Sequence, residues 1–182
     1  MAIEYETQVL EVNAEEIKKK LRNLGATEKP EVFQKRYVFD IECLDAQSPG
    51  LGEWIRLRQS GDKTELTYKN RRGTGINDTI ELEVLVSDFD KTAEILGNLK
   101  CFTGQYYQEN KRSKFFLNDI EFCLDTWPMI PTILEIESSS EHQVKEGLRL
   151  LDLEGKDAGH IGLINIYKKY GLDLHDYREL KF

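Results

Sequence analysis

The sequence predicts an α+β fold built on a large antiparallel sheet, and three observations carry the prediction. About eight short segments alternate apolar and polar residues with period two, mostly in hairpin order. About four other segments repeat apolar residues at helical spacing and stand between or after the strand groups. The strand-like segments also carry ionised residues in same-sign pairs two positions apart, which a plain solvated sheet does not require.

Residues 2–12 alternate as a strand, and "NAEEIKKKLRNLG" follows with helix punctuation. Asn13 can cap, Glu16 stands at the capping-box position, Ile17, Leu21 and Leu24 form one stripe, and Gly25 can end the helix. Residues 33–42, "FQKRYVFDIE", read as a strand, and "EWIRLRQS" with "TELTYKN" form a hairpin around "GDK". The basic stretch 71–78, "RRGTGIND", has glycines but no Walker pattern and is read either as a flexible loop at the mouth of a binding site or as a plain connection.

"TIELEVLV" alternates again, and Ser87 is expected to cap a helix over 88–99 with Phe89, Ala93 and Leu96 on one face. "TGQYYQENKRSKFFL" and "IEFCLDTW" make a meander through a tight turn at Asn118–Asp119, and Pro128 and Pro131 separate it from "TILEIES". Ser140 caps "EHQVKEGLRLLDL", a last helix is expected near 158–170, and 171–182 read as a tail. With no repeat or linker, residues 1–182 are expected to form one domain.

The 182 residues, 40% hydrophobic and 32% charged, have globular composition. The net charge of -8 argues against nucleic acid as a partner, which needs a basic footprint. Cys43, Cys101 and Cys123 suggest neither a disulfide framework nor a zinc site. His142, His160 and His175 lack ligand spacing. With no membrane-length apolar run and no signal-peptide pattern in the opening residues, a cytoplasmic location is expected, and a homodimer is left open.

The charged pairs are Glu4 with Glu6, Arg56 with Arg58, Glu81 with Glu83, Arg112 with Lys114, and Glu135 with Glu137, with Lys69, Glu121 and Asp125 beside them. Like charges on one strand face repel unless opposite charge lies nearby. Acidic and basic pairs alternate along the chain, which suits a closed sheet whose interior carries both signs and whose apolar outside is covered by helices. Carboxylates suit Mg2+ or Mn2+, and Arg and Lys suit phosphate, so a polyphosphate carrying bound metal meets both demands. Trp54 shares parity with Arg56 and either stacks on a ring of the ligand or packs in the sheet.

These residues resemble the CYTH superfamily, the triphosphate tunnel metalloenzymes, which include class IV adenylyl cyclases, thiamine triphosphatases and tripolyphosphatases. "EYETQ" stands at the family's ExExK position, and "WIRLR", "LTYK", "ELE", "NKR", "CLDTW" and "LEIE" follow in family order. The resemblance implies an eight-stranded antiparallel barrel, helices outside, that binds and hydrolyses tripolyphosphate, thiamine triphosphate or a nucleoside triphosphate. It implies Glu4, Glu6, Glu83, Asp125, Glu135 and Glu137 as metal ligands, and Arg56, Arg58, Lys69, Arg112 and Lys114 as the triphosphate grip. Glu4, Glu6, Arg56 and Arg58 are the implied catalytic residues.

Gln8 departs from the motif, which has Lys there. An amide carries no positive charge and is no general base, so two alternatives stand beside hydrolysis. One is class IV adenylyl cyclase chemistry, giving cyclic AMP and pyrophosphate. The other is a non-catalytic module that binds polyphosphate or a nucleotide. Lys114, Arg71, Arg72 and Lys168 are the cations considered as replacements for the missing charge.

Overall fold

The computed structural model describes residues 5–41, 52–71, 79–159 and 161–182; Glu4, Cys43, the loop residues 72–78 with Arg72, and His160 lie outside them. In chain order the elements are β1 (Tyr5–Val9), α1 (Ala14–Asn23), β2 (Thr27–Glu28), β3 (Val32–Ile41), β4 (Gly52–Ser60), β5 (Lys63–Arg71) and β6 (Thr79–Leu85). Next come α2 (Phe89–Gly97), β7 (Phe102–Leu117), β8 (Ile120–Thr126), β9 (Ile133–Ser138), α3 (Glu141–Leu150), α4 (Leu163–Lys169) and β10 (Glu179–Leu180). The fold class is the expected one: α+β, with antiparallel pairing along each hairpin. Two compact units divide the chain, and β7 gives residues 111–117 to the first and 102–110 to the second.

In the first unit the strands run in the order β1, β9, β8, β7. One face of this sheet is apolar and packs under α1 and α3: Val9, Phe115, Phe122, Leu124, Leu134 and Ile136 meet Ile17, Leu21, Val144 and Leu148. Burying each such side chain contributes roughly 1.5–3 kcal/mol, so this shared core dominates the unit's stability. Asn13 caps α1 as expected, its side chain accepting from the backbone of Glu15 and Glu16. Gly147 lets α3 lie close on β9, because a Cβ there would sit 2.7 Å from the Ile136 Cγ2. The Asn118–Asp119 turn has φ of 52° and 61°, the left-handed pair that a two-residue hairpin demands.

In the second unit the order is β7, β3, β4, β5, β6. Phe39 and Leu57 on its apolar face pack against Phe89, Ala93 and Leu96 of α2. The cap of α2 is Asp88, whose carboxylate accepts from the Lys91 N–H at 2.9 Å, one residue beyond the expected Ser87. Residues 171–182 lie on this unit: Leu174 and Leu180 are buried, and β10 pairs in parallel with Tyr107 and Gln108 of β7.

The helix expected over 158–170 is shorter, covering only Leu163–Lys169. The reason is tertiary: the Ala158 N–H donates to the Gln8 carbonyl at 2.7 Å and the Gly159 carbonyl accepts from the Gln8 N–H at 3.2 Å. Those bonds hold the backbone out of helix, and Gly159 takes a φ of 69° that favours glycine. No helix among the described residues is long and apolar enough to cross a membrane.

Candidate functional site

Each unit turns one charged sheet face away from its helices, and the strand registers decide which charges meet. In the first unit Glu6 lies opposite Glu137, Gln8 opposite Glu135, Glu121 opposite Glu137, and Arg112 opposite Asp125. Carboxylate oxygens of Glu6, Glu135 and Glu137 come within 4.8 Å of one another, each side chain half-buried. Three hard oxygen donors so close can together hold a divalent cation.

Arg112 stands beside this cluster. Its Nε donates to Asp125 Oδ1 at 2.7 Å, its Nη2 donates to the other Asp125 oxygen, and Nη2 also reaches Glu135 Oε1 at 3.3 Å. Burial disfavours the charged guanidinium, but Asp125 and Glu135 outweigh it and hold the Arg112 pKa well above its ordinary value. Asp125 is therefore engaged by Arg112, at the edge of the three-acid cluster. Lys114 pairs with Glu121, which also accepts from the Cys123 thiol at 3.0 Å. Burial pushes that thiol far up, so Cys123 offers no nucleophile at neutral pH.

Gln8 is held at both ends of its amide. Its Nε2 donates to Glu135 Oε2 at 3.4 Å, and its Oε1 accepts from the Ile161 N–H at 3.2 Å. It positions an acid of the cluster and carries no charge of its own.

In the second unit the charged face joins β3, β4, β5 and β6. Arg58 lies opposite Glu65, Arg56 opposite Thr67, Lys69 opposite Glu81 and Trp54, and Thr67 opposite Glu83. The Arg58 Nη2 donates to Glu65 Oε2 at 2.7 Å, and Lys69 pairs with Glu81. The Arg56 Nη2 donates to Thr67 Oγ1 at 3.3 Å, and that hydroxyl donates to Glu83 Oε2 at 3.1 Å. Burial raises the cost of charge on Glu65, yet hydrogen bonds from Lys63 and Arg58 bring its pKa down to about 2. Trp54 is half-buried on the same face as Arg56.

The predicted residues thus fall into two groups: Glu6, Arg112, Lys114, Asp125, Glu135 and Glu137 in the first unit, and Arg56, Arg58, Lys69 and Glu83 in the second. Arg71 is buried at the end of β5, while Lys168 is exposed on α4. Sequence reasoning missed Arg36 of β3, which lies opposite Arg58 and is buried, together with its neighbours Gln34 and Asn110. The parity of Gln34, Arg36 and Asp40 carries that signal, but only once β3 is placed beside β4.

Comparison with known proteins adds the following. The CYTH domain family profile matches residues 2–160. No curated protein matches the chain in sequence. Among solved structures, a Pyrococcus horikoshii protein superposes with a TM-score of 0.71 at 24% identity, over 87% of this chain and 96% of that one. A candidate adenylate cyclase from Vibrio parahaemolyticus gives 0.69 at 14% identity, over 92% and 98%. A candidate adenylyl cyclase from Hippeastrum, described as having a dominant triphosphatase activity, gives 0.61 at 13% identity, over 97% and 100%. At these identities the likeness is one of fold.

Proposed function

The chain belongs to the CYTH domain family, and from that premise we propose that it binds a triphosphate with a divalent cation and hydrolyses it. The observation that carries this reading is the convergence of Glu6, Glu135 and Glu137 from β1 and β9 to within 4.8 Å. Those carboxylates, with Glu4 from the same strand-like stretch, would hold Mg2+ or Mn2+. When bound, the ion supplies charge neutralisation at the phosphate and a water of lowered pKa.

The chain's own side chains do the rest. Arg56, Arg58 and Lys69 bind phosphate oxygens through charge-assisted hydrogen bonds, Arg by its planar fork and Lys as a point charge. Arg112 orients Asp125 and Glu135 and adds positive charge beside the acids, while Lys114 and Glu83 complete the two faces. Gln8 takes no proton and steadies Glu135. The substrate class is inorganic tripolyphosphate, thiamine triphosphate or a nucleoside triphosphate, and a cytoplasmic setting accords with the free thiols of Cys101 and Cys123.

Phosphate release from tripolyphosphate, thiamine triphosphate and ATP, with Mg2+, with Mn2+ and with chelator, tests the reading. Metal-dependent release from at least one is expected, and none from any of them would sink it. One observation favours a second reading. The Gln8 amide, tied between Glu135 and Ile161, supplies neither the charge nor the base of the family's Lys, so a binding module without turnover follows if calorimetry shows tight tripolyphosphate binding and no release. Cyclic AMP and pyrophosphate from ATP would instead assign cyclase chemistry, the description carried by the Vibrio parahaemolyticus and Hippeastrum neighbours.

A further inference from the structure

We infer that Thr67 is a positioning residue of the charged face in the second unit, its hydroxyl standing between Arg56 and Glu83 and limiting how closely that guanidinium engages that carboxylate. The inference rests on the reading above and names a residue beyond it. Thr67 of β5 lies opposite Arg56 of β4 on one side and opposite Glu83 of β6 on the other. Its Oγ1 accepts from the Arg56 Nη2 at 3.3 Å and donates to the Glu83 Oε2 at 3.1 Å. The two charged groups are themselves 3.9 Å apart, at the outer limit of an ion pair. Thr67 is wholly buried, so it meets no ligand and acts through its neighbours.

Two other acid–base pairs on this face close directly. Arg58 and Glu65 stand opposite each other on β4 and β5 and bond at 2.7 Å, and Lys69 and Glu81 stand opposite on β5 and β6 and pair. Arg56 and Glu83 stand two strands apart, and the residue between them carries a group that accepts and donates at once. A hydroxyl so placed satisfies both partners and adds no charge. With a methyl in its place both would lose that bond, and the two side chains need approach only about 1 Å to make a charge-assisted bond of ordinary length. Glu83, at 38% side-chain exposure, has the room to do so. A carboxylate bonded to Arg56 competes with a phosphate for the same N–H donors. Arg56 has further interactions of its own, and the contact with Glu83 is the one that Thr67 governs.

Titration calorimetry with tripolyphosphate on the full chain, with chelator present so that no metal contributes, tests this. Thr67→Val removes the hydroxyl at nearly constant shape and is expected to weaken binding about tenfold, whereas Thr67→Ser keeps the hydroxyl and is expected to stay within about twofold of native. Adding Glu83→Gln takes away the charge that captures Arg56. In that background Thr67→Val is expected to cost less than about twofold relative to Glu83→Gln alone. Thr67→Cys, with a weakly bonding thiol, carries the same comparison if Thr67→Val does not fold. Native affinity in the Thr67 variant overturns the inference while Arg56→Gln still loses binding. An equal loss with and without Glu83→Gln overturns it too, since a merely structural role does not depend on the charge at position 83. Native affinity in Arg56→Gln overturns the phosphate reading of this face, and the inference with it.

Discussion

The charged faces of the two units are near inversions of each other. In the first unit acids lead and a single deeply set cation, Arg112, organises them by donating to Asp125 and Glu135. In the second, cations lead and a single deeply set acid, Glu65, ties Arg58 and Lys63. The minority charge is deeply set in each case: Arg112 has a side-chain exposure of 13% and Glu65 of 7%. A face committed to one sign needs an internal counter-charge to survive folding, and that counter-charge marks the structural part of the site rather than the part that meets the ligand.

Four measurements would break or sharpen that contrast. The largest effect is expected from Arg112→Met, which leaves the buried Asp125 carboxylate without its guanidinium. Stability should fall by about 3–5 kcal/mol in urea unfolding. A loss under about 1 kcal/mol would remove Arg112 from its organising role. Next, Glu137→Gln should weaken Mn2+ binding on the order of a hundredfold, roughly 2.7 kcal/mol, with little change in metal-free tripolyphosphate affinity. If both fall together, the division of labour between acids and bases is wrong.

Third, Arg56→Gln should weaken tripolyphosphate binding about tenfold or more by calorimetry and leave Mn2+ affinity alone. Last comes acid sensitivity. Glu65 is lowered from 4.5 to about 2 in the folded protein, so its stabilisation is present above pH 4.5 and is lost as pH falls toward 2. Glu65→Gln should flatten the native fall in unfolding midpoint over that window. An identical pH profile would show that the pairing with Arg58 and Lys63 contributes nothing.

Much of the fold was legible because period-two alternation and cap residues are local. The β4–β5 hairpin, the Asn118–Asp119 turn, and the caps Asn13 and Ser140 all appear where the pattern places them, while β1 ends at Val9, short of the expected residue 12, because the chain turns at Glu11 with a φ of 58°. What failed was set from a distance. Ala158 and Gly159 sit in a stretch with helical character, but their backbone is claimed by Gln8 at the other end of the chain. Asp88 displaced Ser87 as cap because both suit the position and only the geometry of the turn decides between them.

The same distinction applies to the candidate site. Charged residues on alternating strands could be picked out singly, but Glu6 against Glu137 and Arg112 against Asp125 are facts of register, which no local signal encodes. Arg36 went unnoticed because Lys35 precedes it, so no isolated charged parity stands out, and because only the β3–β4 register sets it beside Arg58.

The bonds that bind Gln8 to Ala158 and Gly159 also bear on self-association. β1 ends the strand order of the first unit, and an end strand offers bare amides and carbonyls on which a foreign chain can template. At Gln8 both backbone groups are already taken, by the Gly159 carbonyl and the Ala158 N–H, and the side-chain amide is taken by Ile161. An intruding strand would have to peel this segment away before it could register along the five residues of β1. Loss of the segment should therefore show first as fibril growth or strand exchange between copies.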